Sequence, residues 1–294
     1  MSGEAMVAPP TAAPADSNLR RIWLCADDYG ISPSVNAAIR DLVLQGRLNA
    51  TSVMVVAPTF NRSEALSLAI LNAGTQRVAI GLHVTLTGPF KPLSEGFAPL
   101  HKGAFLPLTS TLRAAMLRML RPERIAVEVA AQIKAFEAAF GRLPDFIDGH
   151  QHVHLFPQVR DAVLNVARDR VPNAWIRQCG RLPGVARAKD RKAWLLDHLS
   201  RTFRKRAKKL NVKVNPAFAG TYDFDAKPDF AALFPAFLEG LPSGSVVMCH
   251  PGHVDEELQR LDPLTTLREA EYKYFAGEAF PGILSAKGVT LAII

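Results

Sequence analysis

The sequence predicts an α/β fold: a single distorted (β/α) barrel, TIM-barrel-like in plan, with about seven or eight parallel strands. Three observations support this prediction. Short apolar, β-branched runs alternate with segments of helical periodicity, no convincing linker interrupts the alternation after residue 20, and 294 residues suffice for one such barrel. The sheet is expected to be parallel because each strand reaches the next one through a helical crossover.

The predicted strands are apolar runs, as expected for a sheet that is covered on both faces. The first run, IWLCA at 22–26, is apolar throughout. The others, in chain order, are TSVMVVA at 51–57, VAIGLHV at 78–84, DFID at 145–148, AWIRQC at 174–179, SVVMC at 245–249 and VTLAII at 289–294.

Capping residues mark the predicted helices between these strands. Ser32 and Pro33 form the pair of N-cap and first helical residue that typically begins a helix. A second helix is predicted over 123–140, and Gly141 supplies the residue that ends it. Pro157 is expected to begin a further helix.

The composition bounds the domain organisation and the cellular location. Residues 1–20 are rich in Ala and Pro and contain no apolar signal core, so they are predicted to form a disordered tail before a domain at 21–294. No apolar run is long enough to cross a membrane. The three cysteines have no CxxC spacing, which indicates reduced thiols in the cytoplasm.

The net charge of +8 indicates an acidic partner, and part of the excess lies on two predicted amphipathic helices, 112–120 and 196–210. Each combines an apolar stripe with a basic flank. Two interpretations remain open: ordinary helices that pack on the barrel, or a surface that makes peripheral contact with an anionic membrane. Nucleic acid is not expected as a partner, because no aromatic residues interleave the basic run at 201–209.

Acidic and imidazole side chains follow four of the predicted strands. They are Asp27 and Asp28, His83, Asp148 and His150, and His250. The carboxyl ends of parallel strands share one rim of a barrel, which is where ligands bind. A carboxylate with two imidazoles suits Zn²⁺ or another divalent ion and leaves room for water and substrate. Each residue alone could be structural, but their joint placement predicts a metal site.

Five motifs resemble the YdjC/ChbG family of carbohydrate deacetylases, and they keep the family's order and spacing from about residue 21 to the end of the chain. They are ADDYG at 26–30, GLHVTLTGPFKPL at 81–93, DGHQHVHLFPQV at 148–159, MCHPG at 248–252 and DPLTTLREAEY at 262–272. NPAFAGTYDF at 215–224 and GEAFPGIL at 277–284 are most similar to the hopanoid-biosynthesis-associated branch, HpnK. One departure is Tyr29, where the family commonly has Phe.

By position, the resemblance implies that Asp28, His83 and His150 bind one divalent ion, either Zn²⁺ or Mg²⁺. It also implies that Asp27 is the general base and His250 the general acid. Seven further residues are candidates for supporting the ligands or contacting the substrate: Tyr29, Asp148, His152, His154, Arg177, Tyr222 and Arg268.

Three histidines alternate in DGHQHVH, but only His150 is expected to bind the ion. The predicted strand ends there, so the argument that alternate residues share a face does not extend to His152 and His154. These two are expected to support the site, contact the substrate or hold the turn before Pro157.

The resemblance implies a hydrolase that acts on a linear amide C–N bond, namely a metal-dependent N-deacetylase. The expected substrate is an N-acetylglucosaminyl group on a hopanoid glycolipid of the bacteriohopanetetrol type, which would place the enzyme in the cytoplasm at the inner face of the membrane. The alternatives are a soluble chito-oligosaccharide deacetylase, a phosphoester hydrolase, and a non-enzymatic barrel that binds carbohydrate or lipid around a structural ion. A homodimer is a further expectation.

Overall fold

The computed structural model describes residues 19–75, 78–182, 191–222 and 229–292. Within these ranges the strands are β1 (Arg20–Tyr29), β2 (Ala50–Val53), β3 (Ala79–Val84), β4 (Leu100–His101), β5 (Ala104–Phe105), β6 (Phe146–Gly149), β7 (Trp175–Ile176), β8 (Phe218–Ala219), β9 (Val246–Cys249) and β10 (Val289–Leu291). The predicted tail, apart from its last two residues, lies outside the described residues.

The α-helices of the same ranges are α1 (Pro33–Leu44), α2 (Arg62–Ala69), α3 (Leu108–Met116), α4 (Pro122–Phe140), α5 (Val159–Arg170), α6 (Arg191–Lys209), α7 (Phe230–Phe237), α8 (Glu256–Leu261), α9 (Thr266–Ala276) and α10 (Phe280–Ala286). Two 3₁₀ segments occupy Ile70–Asn72 and His150–Leu155. Among the described residues, no helix is both long and apolar enough to cross a membrane.

The main sheet has the strand order β7-β6-β3-β2-β1-β9-β8, and β10 pairs with the first half of β1. Its pairings are all parallel, which confirms the predicted class of fold. Two features of the fold were not predicted. These are β8, which is only two residues long, and the small antiparallel hairpin of β4 and β5.

The sheet curls until its two end strands meet. The Ile176 N–H of β7 donates to the Lys213 carbonyl at 2.9 Å, and the Phe218 N–H of β8 donates to the Gly180 carbonyl at 3.2 Å. Between them, the Gln178 N–H donates to the Asn215 side chain at 2.7 Å. Because these bonds do not form a regular ladder, the barrel is distorted at this seam.

Strand β3, which contains His83, packs closely against β6, which His150 follows directly. A side chain at Gly81 would overlap the ring of Phe146, so only glycine lets these strands approach. Phe146 in turn stacks on Trp175 of β7, with ring centroids 4.5 Å apart. This packing aligns the ends of three neighbouring strands.

Most of the predicted helix ends are found. The Ser32 hydroxyl accepts from the Val35 N–H at 3.3 Å, and α1 begins at Pro33. Gly141 ends α4 in the left-handed region, with φ of 68°. The predicted helix at 112–120 is correct up to Met116, where α3 ends, and wrong beyond it. Arg118 has a φ of 57°, which is incompatible with a continuing helix.

The two basic helices differ in where their apolar residues lie. The stripe of α6, formed by Leu196, Leu199 and Phe203, is buried in the core. In contrast, Met116 and Leu117 at the end of α3 are more than half exposed. For α6, the structure therefore supports the interpretation of ordinary packing on the barrel.

Candidate metal centre

Three side chains from three strand ends form a buried cluster. Asp28, His83 and His150 each place one ligand atom within 4.8 Å of the others. The Asp28 Oδ1 atom lies 3.3 Å from His83 Nε2 and 3.0 Å from His150 Nδ1. One carboxylate oxygen and two imidazole nitrogens thus face each other in the arrangement that a divalent ion requires.

A local irregularity in β1 brings two adjacent carboxylates to the same place. In a regular strand, Asp27 and Asp28 would point to opposite faces. Asp28 instead has a φ of 69°, and the pairing of β1 with β2 shifts register between Ala26 and Tyr29. Aspartate tolerates the left-handed region better than most residues. Both carboxylates therefore lie beside His83.

The orientation of His83 is set by the neighbouring strand. His83 and Asp148 are register partners in β3 and β6, and His83 Nδ1 donates to Asp148 Oδ1 at 2.6 Å. This bond directs Nε2 toward Asp28 Oδ1, 3.3 Å away, which is the orientation that many histidine metal ligands have. Burial lowers the pKa of His83, but the charge and hydrogen bond of Asp148 outweigh it and raise the pKa to about 10. The carboxylates of Asp28 and Asp148 thus flank the two ring nitrogens of His83.

Asp27 is held by an arginine and lies outside the ligand cluster. Both terminal nitrogens of Arg177 donate to its carboxylate at 2.7 Å, and the same guanidinium lies 2.5 Å from Asp148. Burial opposes ionisation, but Arg177 holds the pKa of Asp27 well below its usual range. A second group of potential ligands, Cys25 with Asp27 and Asp148, surrounds this arginine, which contacts all three side chains and lies 2.9 Å from the Cys25 sulfur.

Helix α9 supports the candidate ligand Asp28 from the other side. Arg268 is fully buried and donates to Asp28 Oδ2 at 2.6 Å and to Asp262 at 3.0 Å. Burial raises the pKa of Asp28, but Arg268 and His150 outweigh it and hold the pKa well below its usual range. One oxygen of Asp28 therefore faces Arg268, while the other faces the two imidazoles.

His250 follows β9 directly and is half-buried at the same rim. Burial lowers the pKa of its imidazole to about 4, so the ring is neutral near pH 7. Its backbone N–H donates to Glu271 of α9 at 2.5 Å, and the other oxygen of Glu271 accepts from the Tyr222 hydroxyl at 2.5 Å. Glu271 was not predicted, although it lies three residues after Arg268 and therefore on the same helical face.

Among the remaining predicted residues, three contact the site and Tyr29 is directed elsewhere. Asp148, Arg177 and Arg268 contact the ligands or Asp27, as described above. Tyr29 is directed away from the cluster, since its hydroxyl donates to the Glu64 carbonyl at 2.9 Å and accepts from Arg40 at 2.8 Å.

Of the three alternate histidines, only His150 belongs to the ligand cluster. His152 has a φ of 58° and places Nδ1 3.5 Å from the Cys179 sulfur. His154 Nε2 donates to the Arg177 carbonyl at 2.8 Å, and burial lowers the pKa of this imidazole to about 4. His154 is therefore a neutral group that supports the strand end carrying Arg177.

A long loop after β3 forms one wall of the site. The Phe90 ring is almost fully buried and meets His150 edge to face, with centroids 5.7 Å apart. The buried carboxylate of Glu128 accepts from the backbone N–H groups of Leu93 and Ser94 at 3.1 and 2.7 Å. Helix α4 thus fixes the loop that holds Phe90 against a ligand. Sequence analysis did not identify Phe90 or Glu128.

The fold and the cluster define a (β/α)-barrel protein with a candidate divalent-metal centre at its carboxyl rim. Residues 21–286 match the family model described as YdjC-like protein, and the chain therefore belongs to the YdjC-like family. This confirms the family that the motifs suggested. The finer assignment to the hopanoid-associated branch stays a prediction.

Curated relatives cover nearly the whole chain. A chitooligosaccharide deacetylase of Escherichia fergusonii is 27% identical over 270 residues, which are 88% of this chain and 95% of the relative. A carbohydrate deacetylase of Clostridium beijerinckii is 25% identical over 286 residues, which are 92% of this chain and 100% of the relative.

A crystal structure from Enterococcus faecalis V583 supports the fold. That protein carries a provisional assignment to cellobiose-phosphate cleavage and superposes with a TM-score of 0.71 at 21% identity. The match covers 94% of this chain and 97% of the other. At this identity the likeness shows that the two chains share a fold.

Proposed function

We propose that the protein is a metal-dependent carbohydrate N-deacetylase, which hydrolyses the acetamide of an N-acetylated amino sugar and releases acetate. The observation that carries this proposal is the convergence of a metal-ligand set with an ionised carboxylate, Asp27, and a neutral imidazole, His250, at one rim. The names of the relatives, chitooligosaccharide deacetylase and carbohydrate deacetylase, support the same class of reaction.

Asp28, His83 and His150 would hold the ion. Their donor atoms suit Zn²⁺ better than Mg²⁺, because Mg²⁺ prefers an all-oxygen shell. When bound, such an ion lowers the pKa of water and polarises the acetamide carbonyl. Arg268 and Asp148 keep the ligands oriented through the contacts at 2.6 Å described above.

Asp27 and His250 would together move one proton. Asp27 is ionised and can accept a proton from the water that attacks the acetamide carbon. The neutral His250 can take it up and deliver it to the sugar nitrogen, so that the C–N bond breaks to give the amine and acetate. The proton that leaves water is thus the one that the amine gains.

The finer proposal concerns the substrate, an N-acetylglucosaminyl group carried by a hopanoid glycolipid. Support comes from an apolar ridge, defined as Met116, Leu117 and Met119, whose side chains are 54%, 59% and 67% exposed. Basic residues flank it in the sequence, and α3 packs against the 3₁₀ segment that begins at His150. Such a ridge beside the site suits contact with an anionic bilayer. A soluble chito-oligosaccharide deacetylase remains the alternative.

Acetate release tests the proposal. The purified enzyme, loaded with Zn²⁺, is incubated with N-acetylated chitobiose and with a lipid-linked N-acetylglucosamine, before and after treatment with a chelator. We expect acetate from at least one substrate, loss of release with the chelator and recovery on adding Zn²⁺. Sugar binding without acetate release from either substrate would instead identify a non-enzymatic carbohydrate-binding barrel.

A further inference from the structure

Helix α9 supports the segment that carries His250, and Glu271 is the centre of that support. This glutamate is only 1% exposed, and its two oxygens accept from the His250 N–H and the Tyr222 hydroxyl, each at 2.5 Å. Tyr222 leaves β8 and His250 leaves β9, which are neighbouring strands. One buried carboxylate therefore joins the loops that follow two adjacent strands.

The His250 segment is held at a second point by the same helix. Two residues after His250, the Gly252 N–H donates to the Arg268 carbonyl of α9 at 3.1 Å. A side chain at Gly252 would lie 2.9 Å from Val35 of α1 and 3.5 Å from Arg268 of α9, so the segment packs closely between the two helices. Helix α9 thus holds this segment at two points. The Glu271 side chain accepts from the His250 N–H, and the Arg268 carbonyl accepts from the Gly252 N–H.

The same helix also holds one of the proposed metal ligands, Asp28. Arg268 lies one turn before Glu271 and donates to Asp28. Helix α9 therefore sets the distance between the metal-ligand cluster and the imidazole that would protonate the leaving amine. Catalysis depends steeply on such distances, since a misplacement of about 1 Å can cost about 10²-fold in rate.

We infer that Glu271 is a positioning residue of the proposed deacetylase: through the backbone N–H of His250 and the hydroxyl of Tyr222, it holds the imidazole in place over the metal-ligand cluster. This inference rests on the proposed function. Glu271 does not touch the cluster itself, so its removal should alter turnover without altering metal binding.

The test compares Glu271→Leu with Glu271→Gln in the metal-loaded enzyme. Leucine has a similar volume but cannot accept the His250 N–H, whereas glutamine can accept it and can donate to Tyr222. We expect Glu271→Leu to lower kcat by about 10²-fold, with KM and metal content unchanged, and Glu271→Gln to restore most of the turnover. Glu269→Leu, on the opposite side of the same helix, is the matched control and should behave like the wild type.

A double-mutant cycle separates positioning from a general structural role. If Glu271 acts through His250, then Glu271→Leu should lower kcat no further in a His250→Ala background, because groups that act as a unit are not additive. Equal losses in both backgrounds, or a Glu271→Gln variant as poor as Glu271→Leu, would overturn the inference.

Spectroscopy of the metal-loaded protein gives a readout that needs no turnover. With ¹⁵N-labelled histidine, the His250 amide and ring signals, assigned from His250→Ala, should move in Glu271→Leu and stay in place in Glu271→Gln. Unchanged His250 signals in Glu271→Leu would refute the positioning role. If the wild type releases no acetate, the proposed function fails, and these signals still decide whether Glu271 positions the imidazole.

Discussion

The two halves of the barrel rim are built in different ways. On the metal side, the candidate ligands come from the ends of β1, β3 and β6, and His83 is supported from within the sheet by its register partner Asp148. On the His250 side, the proposed general acid follows β9, but its support comes from helix α9 through Glu271. Support within a sheet can be predicted from strand order, whereas support from a helix depends on tertiary packing.

The largest expected difference is between substitutions of Asp27 and of Asp28, the two adjacent carboxylates on the metal side. Asp28→Ala should lose the ion and the activity together, because its oxygen is one of three ligand atoms. Asp27→Asn should keep the ion and lose about 10²–10⁴-fold in kcat, the usual loss for one acid or base. Metal content by mass spectrometry and acetate release measure both effects.

The exposed Asp169→Asn is the matched control, since it makes the same chemical change far from the rim. Full metal occupancy in Asp28→Ala would remove Asp28 from the ligand set. Loss of the ion in Asp27→Asn would mean that the two carboxylates do not have separate roles, and the division between ligand and base would have to be abandoned.

A smaller contrast concerns His154, a buried imidazole on the metal side that supports Arg177. Its pKa is lowered to about 4, so the folded state binds fewer protons than the unfolded state, whose histidine has an ordinary pKa of about 6.5. The stability that the neutral ring contributes is therefore complete above pH 6.5 and is lost as the pH falls toward 4. By pH 4 this single group accounts for about 3 kcal/mol.

His154→Gln tests this, because the glutamine amide can still donate to the Arg177 carbonyl but does not titrate. We expect the free energy of unfolding, measured with urea at pH 7 and pH 4, to fall less in the variant than in the wild type. His250 also has a pKa lowered to about 4, but it is present in both proteins and cancels. Equal losses in the two proteins would show that folding does not lower the pKa of His154.

The sequence predicts the residues that strands bring together, because parallel strands place their ends at one rim whatever their exact length. It predicts the parallel sheet and the meeting of acidic and imidazole side chains at one rim for this reason, whereas the family and the choice of Asp28, His83 and His150 came from the motifs. It does not predict the positive φ of Asp28, which turns two adjacent carboxylates to the same side. That conformation depends on a register shift between β1 and β2, which has no local signature.

Other residues escaped prediction for related reasons. The strand β8 has only two residues, too few for a periodic pattern. Glu271 and Glu128 look like ordinary charged positions of helices, and only the packed structure shows them buried with donors around both oxygens. The helix α3 ends early because Arg118 adopts a left-handed conformation that its residue type does not suggest.

The smallest expected contrast separates the two basic helices. Their sequences have similar apolar stripes. The stripe of α6 is buried, whereas the apolar ridge, which begins at the last residue of α3, is exposed. If the enzyme contacts a membrane, the ridge should insert, while α6 can add only electrostatic attraction of about 1 kcal/mol for each basic residue. Changing all three ridge residues to Ser should therefore weaken binding to vesicles of phosphatidylcholine and phosphatidylglycerol more than Lys205→Glu with Lys208→Glu.

Comparison of a soluble with a lipid-linked substrate tests whether vesicle binding contributes to catalysis. The ridge variant should release acetate from soluble N-acetylated chitobiose at the wild-type rate, because the ridge lies outside the metal cluster, and should turn over a lipid-linked substrate in vesicles more slowly. Binding of the wild type should also weaken as salt rises, since ions screen the basic flank. If the wild type does not bind the vesicles even at low salt, the result supports the soluble chito-oligosaccharide as the substrate. Equal losses with both substrates would show that the ridge serves the fold, because a membrane contact cannot affect a substrate that never meets the membrane.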